Sequence, residues 1–320
     1  MALDSAAVAK TRTGTKRKDE PGRGKRSARP LLGAHVSVAG GLERAFERAA
    51  ELGCEAIQIF VSNPNQWRGR EIGEEEAERF RAARAASRVG PVAAHASYLI
   101  NLAAADRAVL ARSKKALAAE LSRCASLGVD ALVLHPGSHR GTSEEHGIER
   151  VAAALDSLLA AAPEGPRLLL ENTAGQGSSL GWRLEQLAAI RARLEGTGSE
   201  GAGRVGFCLD TCHAFAAGYP VHEEDGYEEF LAEAGERLGL ERVRLLHLND
   251  SARPFGSRRD RHAHVGDGEI GTGLFARLVH EPRLAGVGMV IETETGPGRE
   301  GHRRDLETLR SLRGRPATSR

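Results

Sequence analysis

Six residues whose side chains bind divalent metal ions recur at similar intervals along this sequence. They are three histidines and three carboxylates, each at the end of a short apolar run: His95, His135, Glu171, Asp210, His247 and Glu292. Neighbouring members are 36 to 45 residues apart, which suits one strand and one helix of an alternating α/β chain. A single polar residue at a strand end is ordinary. Six such residues at the ends of successive apolar runs predict a metal site on one face of a sheet.

Three further residues extend this ligand set to nine. Asp210 is followed three residues later by His213, so a carboxylate and an imidazole can reach one pocket. Residues two apart share a face in extended backbone, so Asp260 and His262 can bind one ion together. His264 is either a competing ligand or a support for the others. Five histidines and four carboxylates exceed the needs of one ion, which predicts several zinc- or manganese-type ions with a bridging carboxylate.

Apolar runs with the length of buried strands lead up to these residues. The predicted strands are Leu31–Val36, Glu55–Phe60, Pro91–His95, Ala131–His135, Arg167–Glu171, Arg204–Asp210, Arg242–Leu248 and Val287–Glu292. Segments rich in Ala, Leu, Glu and Arg separate them and are typical of helices, for example Asp106–Leu127 and Ser143–Ala162. Eight such units favour an α/β fold of the (β/α)8 TIM-barrel type, in which all strand carboxyl ends lie on one rim. A doubly wound open sheet is the alternative, although no break in composition marks two halves.

Charge divides the chain into a basic tail and a larger body. Residues 1–29 contain nine Lys or Arg against three acidic residues and almost no large apolar side chains, which is typical of disorder. We therefore expect a disordered basic tail over 1–29, a barrel domain over 30–313 and a C-terminal tail over 314–320. The basic tail is either a solvated extension or a tether for nucleic acid. Without it the chain has 36 basic and 40 acidic residues, and three divalent cations would reverse that excess.

Other features of the sequence exclude several classes of protein. No apolar run is long enough to span a membrane and no signal peptide is evident, so we expect a cytoplasmic protein of the bacterial cytosol or nucleoid. Four cysteines are too few for a disulfide scaffold, so reduced thiols are expected. Gly266–Gly271 matches G-x-G-x-x-G, but a polar loop precedes it, which argues against a dinucleotide site.

The remaining histidines receive simpler predictions. His35 ends the first predicted strand and is expected to support the site. Four others, in helical or loop stretches, are expected to be surface residues: His146, His222, His280 and His302.

Seven ordered motifs surround the candidate ligands. They are Gly33-Ala-His-Val-Ser37, His95-Ala-Ser-Tyr-Leu-Ile-Asn-Leu102, His135-Pro-Gly-Ser-His139, Glu171-Asn-Thr-Ala-Gly-Gln-Gly177, Asp210-Thr-Cys-His-Ala-Phe-Ala-Ala-Gly218, His247-Leu-Asn-Asp250 and Asp260-Arg-His262. Together they resemble endonuclease IV, the family of zinc-dependent enzymes that cut DNA at abasic sites. The resemblance runs from about Leu31 to about Leu312 and omits the basic tail.

This resemblance implies three Zn²⁺ ions, one of them replaceable by Mn²⁺. The implied ligands are His95 and His135 for one ion, Asp210, His247 and Glu292 for a second with Glu171 as the bridge, and His213, Asp260 and His262 for the third. Glu171 and Glu292 are implied to be catalytic. The implied reaction is hydrolysis of the phosphodiester 5′ to an abasic site in double-stranded DNA, leaving a 3′-hydroxyl and a 5′-deoxyribose phosphate. A monomer with no membrane partner is expected.

The resemblance also implies which residues contact DNA. It places Tyr98 in a loop that enters the duplex at the lesion. Asn65 stands where related sequences often carry an arginine, and Arg68 or Arg70 is a candidate to replace that contact. An abasic nucleotide has no base to unstack, so its extrusion into a pocket costs little and provides selectivity.

Two other functions are compatible with parts of the sequence. A sugar isomerase or epimerase uses a similar barrel with metal at the same rim, but about four ligands suffice for it, which leaves His213, Asp260 and His262 without a role. A non-catalytic nucleic-acid binder that uses the basic tail leaves the whole rim unexplained.

Overall fold

A closed barrel of eight parallel strands forms the centre of the molecule in the computed structural model, which describes residues 29–162, 164–198 and 200–314. The barrel strands are β1 (Leu31–His35), β2 (Ala56–Ile59), β3 (Val92–His95), β4 (Ala131–Leu134), β5 (Arg167–Glu171), β6 (Val205–Asp210), β7 (Val243–His247) and β10 (Gly288–Ile291). Because β1 pairs with both β2 and β10, the sheet has no free edge. The predicted (β/α)8 fold is confirmed, and the open-sheet alternative is wrong.

Helices cover the outside of the barrel. They are α1 (Arg44–Leu52), α2 (Glu74–Ala86), α3 (Arg107–Leu127), α4 (Glu144–Ala161), α5 (Leu184–Gly196), α6 (Thr211–Ala217), α7 (Glu224–Arg237), α8 (Thr272–Leu278) and α9 (Glu300–Gly314). Two short strands, β8 (Asp250–Ser251) and β9 (His262–Ala263), form an antiparallel pair after β7. Local signals set the helix ends. For example, the Asp106 carboxylate accepts the N–H groups of Ala108 and Val109 at the start of α3, and Gly128 ends that helix with φ 68°.

Two apolar layers explain why the strands read as continuous apolar runs. Small and branched side chains fill the barrel interior, among them Ala56, Ala93, Leu169 and Val290. A larger cluster lies between the strands and the helices. Each strand is therefore buried on both faces, as parallel strands in α/β proteins usually are.

One glycine shows how closely two barrel strands approach. A Cβ atom at Gly33 would lie only 1.7 Å from the Ala56 carbonyl oxygen. A larger residue at position 33 would therefore force β1 away from β2.

The structure tests some of the remaining predictions. Cys54, Cys124, Cys208 and Cys212 are buried free thiols, as expected. No helix in the described part of the chain is long and apolar enough to cross a membrane. The predicted tails lie outside the described residues apart from Arg29 and Gly314, so the two boundaries between the three predicted segments stay predictions.

The prediction that His302 is a surface residue is wrong. Its side chain is buried in α9, and Nε2 lies 2.9 Å from the Thr293 carbonyl oxygen. It belongs to a stripe on the inner face of α9 that continues with Leu306 and Leu309. This helical spacing was the signal in the sequence that could have revealed its burial. Of the other three histidines, His146 is exposed, and two are half-buried: His222 and His280.

Candidate metal centre

A single buried carboxylate, that of Glu171 at the end of β5, lies at the centre of the barrel rim. Its Oε2 atom is 3.2 Å from His95 Nε2 and 3.0 Å from His135 Nε2. Its Oε1 atom is 2.9 Å from His247 Nδ1 and 3.3 Å from His213 Nδ1. The four imidazoles come from β3, the segment after β4, β7 and α6. Barrel closure thus brings residues from distant parts of the sequence to one carboxylate.

The electrostatics of this group keep Glu171 ionised. Burial raises the pKa of its carboxyl group, but the neighbouring His247 and His135 outweigh burial and hold that pKa well below its usual value. Burial lowers the pKa of His213 and His247, whereas the acidic groups around them outweigh burial and raise it well above its usual value. The negative charge at the centre therefore requires positive charge around it, from imidazolium groups or from metal ions.

A second group of potential ligands lies on the other side of Glu171. Ligand atoms of Glu171, Asp210, His247 and Glu292 all lie within 4.8 Å of one another. The distances from His247 Nδ1 are 3.1 Å to Glu292 Oε2 and 3.7 Å to Asp210 Oδ2. Because Glu171 also belongs to a group with His95 and His135, its two oxygens face two neighbouring groups. This is the arrangement that a bridging carboxylate needs.

A third group combines His213 of α6 with Asp260, which precedes β9, and His262, the first residue of β9. The Asp260 carboxylate lies between two imidazoles, 3.1 Å from His213 Nε2 and 3.1 Å from His262 Nε2. Burial raises the pKa of Asp260, but His213 and His262 outweigh it and hold the pKa well below its usual value. Burial lowers the pKa of His262, and Asp260 and Asp210 outweigh it to raise that pKa to about 9. The predicted pairing of Asp260 with His262 is therefore present.

The donor set fits divalent metal ions. Nine nitrogen- and oxygen-bearing side chains converge on the rim, and neutral imidazole and carboxylate groups are common zinc ligands. The Nε2 atom of His262 is buried and has no hydrogen-bond partner, although two carboxylates lie within 4 Å of it. A buried nitrogen without a hydrogen bond normally costs free energy, whereas coordination to a metal ion would satisfy it.

Amide side chains that the sequence reasoning missed hold the carboxylates in place. Asn249 Nδ2 donates to Asp210 Oδ2 over 2.6 Å and to Glu292 Oε2 over 3.2 Å. Gln58 lies in β2, where its Nε2 donates to Glu292 Oε1 and its Oε1 is 2.9 Å from His247 Nε2. Gln58 is the one polar residue in an otherwise apolar strand, which is the signal that could have identified it. His35 Nδ1 lies 3.0 Å from Gln58 Nε2, so His35 supports the site as predicted.

The start of α6 positions two of the candidate ligands together. Asp210 ends β6 and caps α6, since its Oδ1 accepts the N–H of His213 over 2.7 Å. Asn172 accepts the Asp210 N–H and donates to the Asp210 carbonyl oxygen. The Asp-x-x-His spacing therefore works through a helix cap formed by Oδ1, while Asp210 Oδ2 accepts from Asn249 and faces the other ligands.

Two buried carboxylates hold the long segment after β7 in its conformation. Asp250 accepts the backbone N–H groups of Gly266, Gly268 and Ile270. This explains the glycine-rich stretch and agrees with the rejection of a dinucleotide site. Asp305 in α9 accepts the Val265 N–H.

Asp305 also decides the role of His264. His264 Nδ1 lies 2.9 Å from Asp305 Oδ2, so this imidazole faces α9 rather than the ligand groups. His264 is therefore a support for the segment and not a competing ligand.

An open cleft adjoins the ligand groups. It has a volume of about 620 Å³ and is lined by Trp67, Tyr98, His135, His213 and Asp260, among others. The Tyr98 residue is 58% exposed, and its ring lies 5.3 Å from that of His95. A large exposed aromatic side chain directly beside the ligand groups is available for contact with a bound molecule.

The two other predicted DNA contacts lie on the segment after β2. Asn65 and Arg68 are both exposed. Arg70, the alternative to Arg68, is paired with Glu76, so its charge is already compensated. Of the two arginines considered, Arg68 is the better candidate.

Comparison with known proteins connects this geometry to a family. Residues 46–312 match the family model described as xylose isomerase-like TIM barrel. The chain is 46% identical over 287 residues to probable endonuclease 4 of Nitratidesulfovibrio vulgaris strain DP4, covering 89% of this chain and 100% of that protein. The crystal structure of endonuclease IV from Thermus thermophilus superposes with a TM-score of 0.78 at 41% identity, covering 88% of this chain and 98% of that one.

A more distant likeness concerns the fold alone. D-psicose 3-epimerase from Clostridium cellulolyticum, in a structure with D-tagatose, has a TM-score of 0.63 at 15% identity, covering 88% of this chain and 98% of that one. The barrel is thus shared with sugar epimerases, whereas the sequence identity is shared with endonuclease IV.

Proposed function

This chain belongs to the endonuclease IV family, and from that membership we propose that it is an abasic-site endonuclease of DNA repair. The proposed reaction is hydrolysis of the phosphodiester 5′ to an abasic site in double-stranded DNA, with a 3′-hydroxyl and a 5′-deoxyribose phosphate as products. The observation that supports it most is the buried Glu171 carboxylate, which lies within 3.3 Å of four histidine nitrogens at the barrel rim. We propose a monomer that acts in the bacterial cytosol.

We propose that the rim binds three Zn²⁺ ions, one of them replaceable by Mn²⁺. The proposed ligands are His95 and His135 for one ion, Asp210, His247 and Glu292 for a second, Glu171 as the bridge, and His213, Asp260 and His262 for the third. When bound, such ions neutralise the phosphate, lower the pKa of a water molecule and offset charge on the leaving oxygen. No conventional serine, cysteine or threonine nucleophile is then required.

Glu171 and Glu292 are the proposed catalytic carboxylates. Glu171 is fully buried and ionised. Because its two oxygens face two different ligand groups, it holds those groups at a constant separation. Glu292 has a side chain that is 13% exposed, the more accessible of the two, and Gln58 and Asn249 fix both of its oxygens. We assign to Glu292 the orientation of the attacking water, since it combines partial exposure to solvent with a fixed direction.

Selectivity for the lesion is proposed to come from shape. The cleft beside the ligand groups can receive an extruded nucleotide without a base, for which unstacking costs little. Tyr98 projects at the edge of this cleft and is proposed to enter the duplex. Asn65 and Arg68 are proposed to contact the DNA from the neighbouring segment.

A nicking assay tests the proposal. A duplex that carries one tetrahydrofuran abasic analogue is incubated with the zinc-replete protein and, separately, with protein treated with a strong chelator. We expect a nick 5′ to the analogue only in the first case. Failure of the zinc-replete protein to nick the duplex contradicts the proposal, and turnover of a ketose would favour an epimerase.

A pair of histidine variants tests the assignment of ligands. His135→Ala is expected to abolish nicking while the protein stays folded. The control is His146→Ala in α4, which removes an exposed imidazole whose Nδ1 atom lies 3.0 Å from the Ser143 hydroxyl at the start of its own helix. Nicking by His135→Ala at the level of the control would show that the ligand set is wrong.

A further inference from the structure

A second cleft runs along the outside of the barrel, between α3 and the segment of residues 67–72. Its volume is about 810 Å³. Arg112, Lys115 and Ala119 line it from α3, and these positions recur at intervals that place them on one helix face. Helix α3 follows β3, so the end of the cleft near Arg112 lies toward the barrel rim. We call this feature the α3 cleft.

The wall of the α3 cleft opposite the helix is preformed. Arg123 of α3 donates hydrogen bonds of 2.9 Å to the carbonyl oxygens of Gly69 and Arg70. A Cβ atom at Gly69 would lie 2.7 Å from Ser62 Cβ and 2.9 Å from Arg123 Cζ, so only glycine allows this contact. The segment is therefore fastened to the helix, and a ligand would not have to order it.

The α3 cleft carries positive charge without matching carboxylates. Arg68, Arg112 and Lys115 are exposed, and within the described ranges none of them has a carboxylate oxygen within 4.0 Å. Glu71 is the one acidic residue in the lining, against four basic ones. This local excess contrasts with the body of the protein, in which acidic residues outnumber basic ones. Such a surface attracts a polyanion.

Trp67 connects the α3 cleft to the candidate active site. Its side chain lines both the α3 cleft and the cleft that contains Tyr98 and His135. The Arg112 guanidinium lies 5.2 Å from the centre of the Trp67 ring. An aromatic face beside cations is the combination with which proteins bind nucleic-acid strands without reading their sequence.

We propose that the α3 cleft binds the sugar–phosphate backbone of the DNA that flanks the abasic site. This inference rests on the proposed function and extends its contact surface from the rim down the outer face of α3. Arg112 and Lys115 contact phosphates, Arg68 joins them from the opposite wall, and Trp67 separates this flank from the lesion. The contact contributes affinity that depends on duplex length and on salt, with no preference for base sequence.

The test compares the double variant Arg112→Gln/Lys115→Gln with wild type on two tetrahydrofuran duplexes. One ends close to the lesion, and the other extends about two helical turns beyond it on both sides. Binding is measured by fluorescence anisotropy over a salt series, and nicking is measured in parallel. On the long duplex, we expect the slope of log affinity against log salt to fall by about 2, or about 1 per phosphate contact. On the short duplex we expect no change.

The matched control is Arg88→Gln/Arg167→Gln, which removes two exposed cations at the opposite end of the barrel. It should leave both slopes unchanged. Two results would overturn the inference: an unaltered slope for the α3 variant on the long duplex, or an equal fall in slope on both duplexes. In either case nicking by the wild-type protein would still uphold the proposed function. If wild type binds but does not nick, the proposed function fails, and the length-dependent slope still decides whether the α3 cleft binds DNA.

Discussion

The candidate ligands at the ends of the barrel strands and those at the start of β9 are positioned in different ways. Glu171, Asp210 and His247 lie in barrel strands, where the register pairs Asp210 with His247. Asp260 lies just before the two-residue strand β9 and His262 begins it, and their side chains are 39% and 21% exposed. The first set is held by the backbone hydrogen bonds of a closed sheet. The second set has only the two-residue ladder of β8 and β9, in which Ser251 pairs with His262.

Buried carboxylates supplement this short ladder. Asp250 accepts three backbone N–H groups from the residues that follow β9, and Asp305 holds His264 and Val265 against α9. Hydrogen bonds to a buried charge are among the stronger ones in proteins. Ligands of the same chemistry are thus fixed in one region by the closed sheet and in the other mainly by a few side chains, and the second arrangement is the easier to disrupt by mutation.

The largest effect is expected from Glu171→Gln at the centre of the strand-end set. The amide has the same shape but lacks the charge that faces four imidazoles, so we expect metal content to fall and nicking to drop by about a thousandfold. Metal analysis and single-turnover nicking would measure both. Retention of full metal content and activity would show that this carboxylate is not the shared ligand.

A smaller effect is expected from Asp260→Asn in the second set, which comprises Asp260 and His262. We expect one ion of three to be lost while the strand-end ions stay, with nicking lowered by roughly a hundredfold. Metal stoichiometry by mass spectrometry distinguishes the two sets directly. Loss of all ions together would show that the two regions form one cooperative unit and that their ligands are not positioned independently.

Asp250→Asn tests the support of the loop without removing any candidate ligand. It places an amide among backbone donors, so we expect a loss of about 2 kcal/mol in the free energy of unfolding. We also expect roughly ten- to a hundredfold weaker binding of the ion proposed for Asp260 and His262. Asp267→Asn is the matched control, since it changes an exposed aspartate of the same segment. Equal behaviour of the two variants in denaturant titration and metal analysis would contradict the assigned role of Asp250.

The smallest effect concerns His302, which supports the segment after β10 from α9. Burial lowers the pKa of His302 below 6.5, so the unfolded chain takes up the proton first and protonation disfavours the native state. The stability that the neutral side chain provides is present above pH 6.5 and is lost as the pH falls through the lowered native pKa. Urea unfolding across that range should show a weaker pH dependence for His302→Gln than for wild type. An unchanged pH dependence would contradict this account.

Much of the fold could be predicted because its signals are local. Alternation of apolar runs and helical segments predicts a (β/α)8 barrel, and the eight predicted strands agree with the observed ones to within one residue at each end. The strand-end residues could be predicted for the same reason, since parallel strands in a barrel bring their carboxyl ends to one rim.

Sequence reasoning was weaker where contacts join distant segments. His262 and His264 are two apart, and an extended backbone would place both on one face. The chain instead turns after Ala263, so His262 faces Asp260 and His264 faces Asp305. The prediction for His302 was wrong because it rested on the polarity of the residue alone, whereas its spacing with Leu306 and Leu309 places it on the buried face of α9.

Residue type and period are properties of short segments, so the order of residues along the chain was enough to identify the candidate ligands and the strand ends that carry them. The folded molecule was needed to show that Glu171 occupies the centre, that Gln58 and Asn249 orient the carboxylates, and that an α9 aspartate holds the loop. These positions depend on closure of the barrel and on the burial of charges that need partners from other parts of the chain.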